Sequence, residues 1–282
     1  MKSKCSVARI FAKKLPAPVK SALRRVIRRR RRKKFAMTYY KDKLRLINEW
    51  ARLYSEDSNF YYKITTLNRD QLAQLLASIT GEPYESITEY FGEIERDSDL
   101  RSHIEESLVR ARYGKDIKVN YGRRIGWYAL VRILKPKIVV ETGVDHGVGA
   151  CVIASALLRN AKEGFSGRYY GTEIRMEAGK LLCGKYSEVG KILYGDSITS
   201  LENMSEQIDL FVNDSDHSAE YEYQEYVTIA NMLSDHAFIL GDNSHSTDCL
   251  SRFSLEQKRK YVFFSENPEN HWYPGAGIGI SY

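Results

Sequence analysis

The sequence predicts an α/β fold: a mostly parallel seven-stranded sheet with an antiparallel last strand, preceded by a helical N-terminal extension. Three observations carry this. Short β-branched or aromatic runs alternate with helical stretches after Pro136. Three of those runs end in turns rich in acids and amides. From Phe35 to Tyr113 the apolar residues recur instead at helical spacing, with no strand-like alternation.

Taken in order, Leu44, Leu46, Ile47, Trp50, Ala51 and Leu53 share one broad helical face. Asn68 is expected to cap a second helix running through Leu72, Leu75, Leu76 and Ile79 to Gly81. Ile87 to Phe91 and Ile104 to Ala111 read as further short helices, and Arg124 to Leu134 as the helix leading into the sheet. The tyrosines Tyr54, Tyr61, Tyr62, Tyr84, Tyr90 and Tyr113 read mainly as packing groups with a polar tip. Strands are expected at 137–141, 169–173, 192–194, 208–213, 237–240, 261–264 and 277–282, the last two forming an antiparallel pair. Helices are expected at 148–158, 176–186 and 221–233. Such alternation implies parallel strands joined by right-handed crossovers. Three regions follow: a basic tail at 1–34, a helical accessory segment at 35–119 and the sheet domain at 120–282.

Charge divides the chain more sharply than composition. Residues 1–34 hold 15 Lys or Arg and no acid, whereas the rest holds 28 basic against 36 acidic residues, a net of −8. Ser21 to Ile27 followed by Arg28 to Lys34 reads as a short cationic amphipathic helix suited to anionic lipid or nucleic acid, or else as a solvated arm. The early apolar stretch is broken by Arg9, Lys13 and Lys14, which disfavours a secretory signal. No run reaches the roughly 20 apolar residues that a membrane span requires. Cys5, Cys151, Cys183 and Cys249 are scattered and match neither a metal motif nor a disulfide framework, as in a cytoplasmic protein.

The strand endings carry the chemistry. In parallel sheets, ligands sit beyond the carboxyl ends of the strands. The first ending, Val139-Val140-Glu141-Thr142-Gly143-Val144-Asp145-His146-Gly147, combines an acid with two glycines that let the backbone bend close to a ligand. It lacks the G-x-G-x-x-G spacing of a pyrophosphate cradle, and its acid favours a cationic group such as an amino group. Glu173 ends the second strand, where a carboxylate can accept two ribose hydroxyls. Gly195-Asp196-Ser197 ends the third, and could hold an adenine edge. Phe211-Val212-Asn213-Asp214-Ser215-Asp216-His217 and Gly241-Asp242-Asn243 end the fourth and fifth. Their hard oxygen donors suit magnesium, calcium or manganese.

These motifs resemble, in order, those of class I S-adenosylmethionine-dependent methyltransferases. Within that class they are most similar to the metal-dependent O-methyltransferases of the catechol and caffeoyl-CoA types and their sugar-modifying relatives. The resemblance covers about residues 120–282 and implies a Rossmann-like sheet. By resemblance, Glu141, Gly143 and Gly147 hold the methionine part of S-adenosylmethionine, Glu173 the ribose, and Asp196 and Ser197 the adenine. Asp214 borders the cofactor and, with Asp242 and Asn243, ligates a divalent metal, most simply Mg. Where the catechol and caffeoyl-CoA types carry a lysine, this chain has His217, matching the Asp-x-Asp-His of the sugar-modifying relatives. His217 is therefore either the catalytic base or an imidazole orienting Asp214 or Asp242. His245, Glu266, His271, Trp272 and Tyr273 are weaker candidates for contact with the acceptor.

The expected function is thus metal-dependent methyl transfer to a hydroxyl of a small acceptor, such as a saccharide or glycoconjugate. Peripheral contact of residues 1–34 with an anionic membrane is a further expectation. Two other classes stay open: a non-catalytic nucleotide- or polysaccharide-binding scaffold, and a nucleic-acid methyltransferase guided by the tail, which the acidic body disfavours.

Overall fold

The computed structural model describes residues 16–52, 62–110 and 118–282. The expectations on residues 1–15, Leu53, Tyr54, Tyr61, Ala111 and Tyr113 lie outside the described residues. The chain divides into two compact units, Met1–Arg52 and Leu53–Tyr282.

The first unit consists of α1 (Ala17–Thr38) and α2 (Lys41–Trp50). Pro18 near its first turn suits the start of α1, because the missing N–H would have had no intrahelical partner there. Neither helix buries a residue.

The second unit opens with α3 (Thr66–Thr80), α4 (Tyr84–Arg96), α5 (Ser98–Arg110) and α6 (Arg124–Leu134). The cap of α3 is Thr65, whose hydroxyl accepts the Asn68 N–H at 3.2 Å, and not Asn68 as its side chain suggested. Asn68 is buried and reaches across the unit, donating to the Ser265 carbonyl at 2.9 Å and accepting the Asn267 N–H at 2.7 Å. Leu72, Leu76, Phe91, Ile94 and Ile104 share one apolar core with Trp127, Tyr128 and the sheet. Arg132 of α6 is locked within that core by Glu93 at 2.9 Å and Glu163 at 2.5 Å.

The sheet comprises β1 (Ile138–Thr142), β2 (Arg168–Glu173), β3 (Gly190–Tyr194), β4 (Ile208–Asn213), β5 (Leu233–Gly241), β6 (Tyr261–Ser265) and β7 (Gly277–Ser281), in the order β3-β2-β1-β4-β5-β7-β6. All pairings are parallel except those of β7, which runs antiparallel to both β5 and β6. The crossovers are α7 (Val148–Lys162), the short α8 (Ser197–Glu202), α9 (Ala219–Ile229) and α10 (Cys249–Glu256). Register aligns the strand ends. Thr142 pairs with both Thr172 and Asn213, Asn213 pairs with Gly241, and Glu173 pairs with Tyr194. Five strands therefore end on nearly one line, and the chain reverses direction across the sheet between β1 and β4, the place where such sheets bind ligands.

One expected helix is absent. Residues 176–183 form turns, followed by a single 3₁₀ turn at Gly184–Glu188. Gly179 has φ +71° and donates its N–H to the Asp145 carbonyl at 2.6 Å, which ties the segment to the β1 turn and breaks helical hydrogen bonding. Two elements with weak periodicity, α8 and α10, were not anticipated.

Candidate functional site

A cavity of about 540 Å³ lies at the carboxyl ends of β1 to β5. It is lined by Glu141, Gly143, Glu173, Asp196, Ser197, Asp214, His217 and Asp242 among the residues expected from sequence. Gly147 and Asn243 do not line it. Gly147, with φ +100°, starts α7 and packs against Gly179 and Leu181, so its part is to turn the chain rather than to meet a ligand. Asn243 stands behind His217 and pairs with its ring.

At the β1 end the backbone turns at Gly143, where φ is +79° and an added Cβ would overlap the Asp214 carbonyl. Only glycine fits. Glu141 is 2% exposed and accepts the Tyr169 hydroxyl at 2.5 Å. Gly149, on the first turn of α7, leaves the room that the Glu141 carboxylate fills. Burial pushes the Glu141 carboxyl up to about 7, against the lowering effects of the Tyr169 bond and the Arg124 charge. A carboxylate in that state gains by receiving a cation.

Glu173, ending β2, accepts the Asp145 N–H at 2.8 Å and the Arg175 N–H at 3.0 Å, and Arg175 also reaches Asp145 at 2.6 Å. Asp196 accepts the Thr199 N–H at 2.8 Å as the cap of α8, and the Tyr221 hydroxyl at 2.6 Å. Those bonds, the Tyr221 one foremost, hold its carboxyl below the usual range. Ser197 bonds to the Tyr221 hydroxyl at 2.8 Å and donates to Glu225.

Glu225 on α9 fastens the strand ends together. This fully buried carboxylate also accepts from Thr142 at 3.1 Å, from Ser215 at 2.7 Å and from the Asn213 amide. Nothing in its helical surroundings marks it in the sequence.

Asp214 and Asp242 both line the cavity, close enough for each carboxyl to act on the other. Arg123 at the start of α6 donates to Asp242 through Nε at 2.8 Å and through Nη2, and its Nη1 reaches Glu266 at 3.0 Å. Burial opposes charge on Asp242, but the Arg123 guanidinium outweighs it and holds that carboxyl below the usual range. Asp214 goes the other way: burial and then the Asp242 charge push it well up. The two carboxyls are thus pushed apart, Asp242 toward its charged form and Asp214 toward its neutral one.

His217 pairs through Nδ1 with Asn243 Oδ1. A carbonyl oxygen only accepts, so Nδ1 carries the proton and Nε2 the lone pair. Asn243 Nδ2 is buried without a partner. Among the described residues no group of three His, Cys, Asp or Glu side chains is arranged to hold a metal ion.

The weaker acceptor candidates stand outside this cavity. Glu266 is 3% exposed and accepts from Tyr62 at 2.7 Å, from Arg123 and from the Ala276 N–H at 2.8 Å, so it is an internal anchor. His271 and Tyr273 pack their rings near Tyr62, and none of His245, Glu266, His271, Trp272 and Tyr273 lines the cavity. Conversely, Arg123, Arg124, Arg175 and Tyr221 line it without having been singled out. The signal for Arg123 was present: an arginine at the opening of an otherwise apolar helix, once buried, needs carboxylate partners, here Asp242 and Glu266.

Residues 140–244 match the family model described as a methyltransferase domain. No curated protein matches. Among solved structures, the chain resembles a methyltransferase from Geobacter sulfurreducens at 17% identity and a TM-score of 0.49, covering 70% of this chain and 96% of that one. It also resembles the O-methyltransferase TomG from Streptomyces achromogenes, involved in tomaymycin synthesis and solved with S-adenosylmethionine. There the identity is 12% and the TM-score 0.46, over 66% of this chain and 89% of the other. An O-methyltransferase from Bacillus cereus, solved with S-adenosylhomocysteine, matches at 13% identity and a TM-score of 0.41, over 75% and 96%. The strand order is that of a Rossmann-like sheet, and residues 140–244, which resemble a methyltransferase domain, supply most of the strand ends that open on the cavity.

Proposed function

We propose that this chain is an S-adenosylmethionine-dependent O-methyltransferase acting on a hydroxyl of a small acceptor, with a saccharide or glycoconjugate the favoured class. The supporting observation is the row of acidic groups on successive strand ends, from Glu141 and Glu173 through Asp196 to Asp214 and Asp242, around one cavity of nucleoside-cofactor size. The residues fit the cofactor: Glu141 is a buried carboxylate suited to an ammonium group, and the bare backbone at Gly143 permits close approach. S-adenosylmethionine supplies a methyl group made electrophilic by its sulfonium. Glu141 would face the amino group, Glu173 the ribose hydroxyls, and Asp196 with Ser197 the adenine edge. Holding donor and acceptor aligned in a partly desolvated cavity is the main catalytic contribution asked of the protein.

His217 is the proposed base, because its Nε2 lone pair is the one left open by the bond to Asn243. It would take the hydroxyl proton as the acceptor oxygen bonds to the methyl carbon and the carbon–sulfur bond breaks. Asn243 in this arrangement positions the base.

Asp214, Asp242 and Asn243 are the residues that would hold a divalent ion, whose chemistry is to lower the pKa of an acceptor hydroxyl. They fit by donor chemistry: Asp214 and Asp242 supply carboxylate oxygens to one cavity, and the Asn243 amide oxygen keeps a second lone pair beside its bond to His217. Arg123 already occupies one Asp242 oxygen, so ion affinity should be modest. The acceptor class rests on the Asp214-x-Asp216-His217 pattern, and the four scattered cysteines favour a cytoplasmic setting.

The test is transfer of a labelled methyl group to a panel of monosaccharides, nucleotide sugars and catechols, with and without chelator. Turnover on a sugar that falls with EDTA and returns with Mg is expected. His217→Ala should lower kcat about 10²- to 10⁴-fold while cofactor Kd holds. Full turnover in His217→Ala contradicts the base, and full turnover in EDTA contradicts the ion.

A further inference from the structure

The most strongly charged element of the chain is α1, which takes no part in the proposed reaction. It carries ten Lys or Arg and no acid over its 22 residues, and none of those residues is buried. Its apolar side chains are not scattered. Val19, Leu23, Val26 and Ile27 stand at i, i+4, i+7 and i+8, one face of a helix, and are 46%, 41%, 47% and 56% exposed. Arg28 through Lys34 then place cations on every side, and Phe35 and Met37 add exposed apolar groups beyond them.

We propose that α1 is an interfacial anchor, lying in the plane of an anionic lipid surface with Val19, Leu23, Val26 and Ile27 inserted below the headgroups and the arginines among the phosphates. Two features decide the partner. The cation run matches a negatively charged surface by charge complementarity, and long basic side chains lying near the apolar face can extend to the headgroup level. The apolar row is what nucleic acid would not use, since phosphate binding needs cations alone. Lipid uses both features at once. No helix among the described residues is long and apolar enough to cross a membrane, so the contact is peripheral.

The experiment is co-sedimentation of the full chain with phosphatidylcholine vesicles, with and without phosphatidylglycerol. Binding is expected only to the anionic vesicles. Leu23→Ser with Ile27→Ser should weaken it at least about tenfold at constant charge, and Arg28→Gln through Arg31→Gln should do likewise. Unchanged thermal unfolding of both variants shows that the body is intact. Equal recovery with neutral vesicles, or full binding by the Leu23/Ile27 variant, overturns the proposal. So does a salt-sensitive gel shift of RNA or DNA by a chain that ignores anionic vesicles.

Discussion

Glu141 is held near neutrality by burial until a cation reaches it. Its carboxyl lies at about 7 in the folded chain, above its ordinary value of 4.5, so the folded state keeps a proton that the unfolded state has lost between those pH values. Stability therefore falls as pH rises through that window, by about 3 kcal/mol in all for this group. Glu141→Gln should flatten the slope, as chemical denaturation at pH 5 and pH 8 would show. The same proton opposes an incoming ammonium group. Cofactor affinity in the wild-type chain should fall as pH drops below about 7, by up to about tenfold per unit, and Glu141→Gln should abolish that dependence in calorimetric titrations. Arg123 poses the opposite problem. It is a buried cation shared by Asp242, Glu266 and the Tyr62 hydroxyl, so Arg123→Met strands two carboxylates and should destabilise the fold by about 3–5 kcal/mol. An unfolding midpoint within a degree or two of wild type would refute that.

At the scale of elements, strand register gathers the site, and α9 fixes it. The aligned ends of β1, β2, β4 and β5 bring acids from distant parts of the chain to one edge, while Glu225 binds donors from β1, β4 and the turns after β3 and β4. Glu225→Ala orphans several buried donors at once. It should cost about 2–4 kcal/mol and weaken cofactor binding beyond what Glu220→Ala, on an exposed position of the same helix, does. Identical effects of the two variants would contradict the clamp.

This level also shows what the sequence could disclose. The strand at 208–213 and the helix at 124–134 were legible in full because their apolar runs are bounded by sharp polar changes. The stretch 176–186 misled because Ala178, Leu181 and Leu182 sit at helical spacing while Gly179 is claimed by a long-range bond to Asp145. Glu141, Glu173, Asp196, Asp214 and Asp242 were legible as groups gathered at one sheet edge, and all five line the same cavity, since each sits at or just past the end of a strand. Glu266 and Glu225 were not placed, because their roles arise from partners 143 and 28 residues away, respectively.

On the scale of the whole molecule, charge and function are divided. The acidic sheet unit carries the cavity, and the basic helices belong to a separate compact unit. A chain starting at Leu53 should keep the cofactor affinity of the full protein within about twofold, since every residue lining the cavity belongs to the second unit and independent parts contribute additively. A larger loss, measured by titration under the same buffer, would tie the first unit to the site.

The central claim is that the aligned strand ends form one nucleoside-cofactor site. Calorimetric titration of the full chain with S-adenosylmethionine tests it most directly. Binding at one site per chain, weakened at least about tenfold by Glu173→Ala, which removes the proposed ribose acceptor, is the predicted result. No detectable binding, or binding that Glu173→Ala leaves untouched, would contradict it.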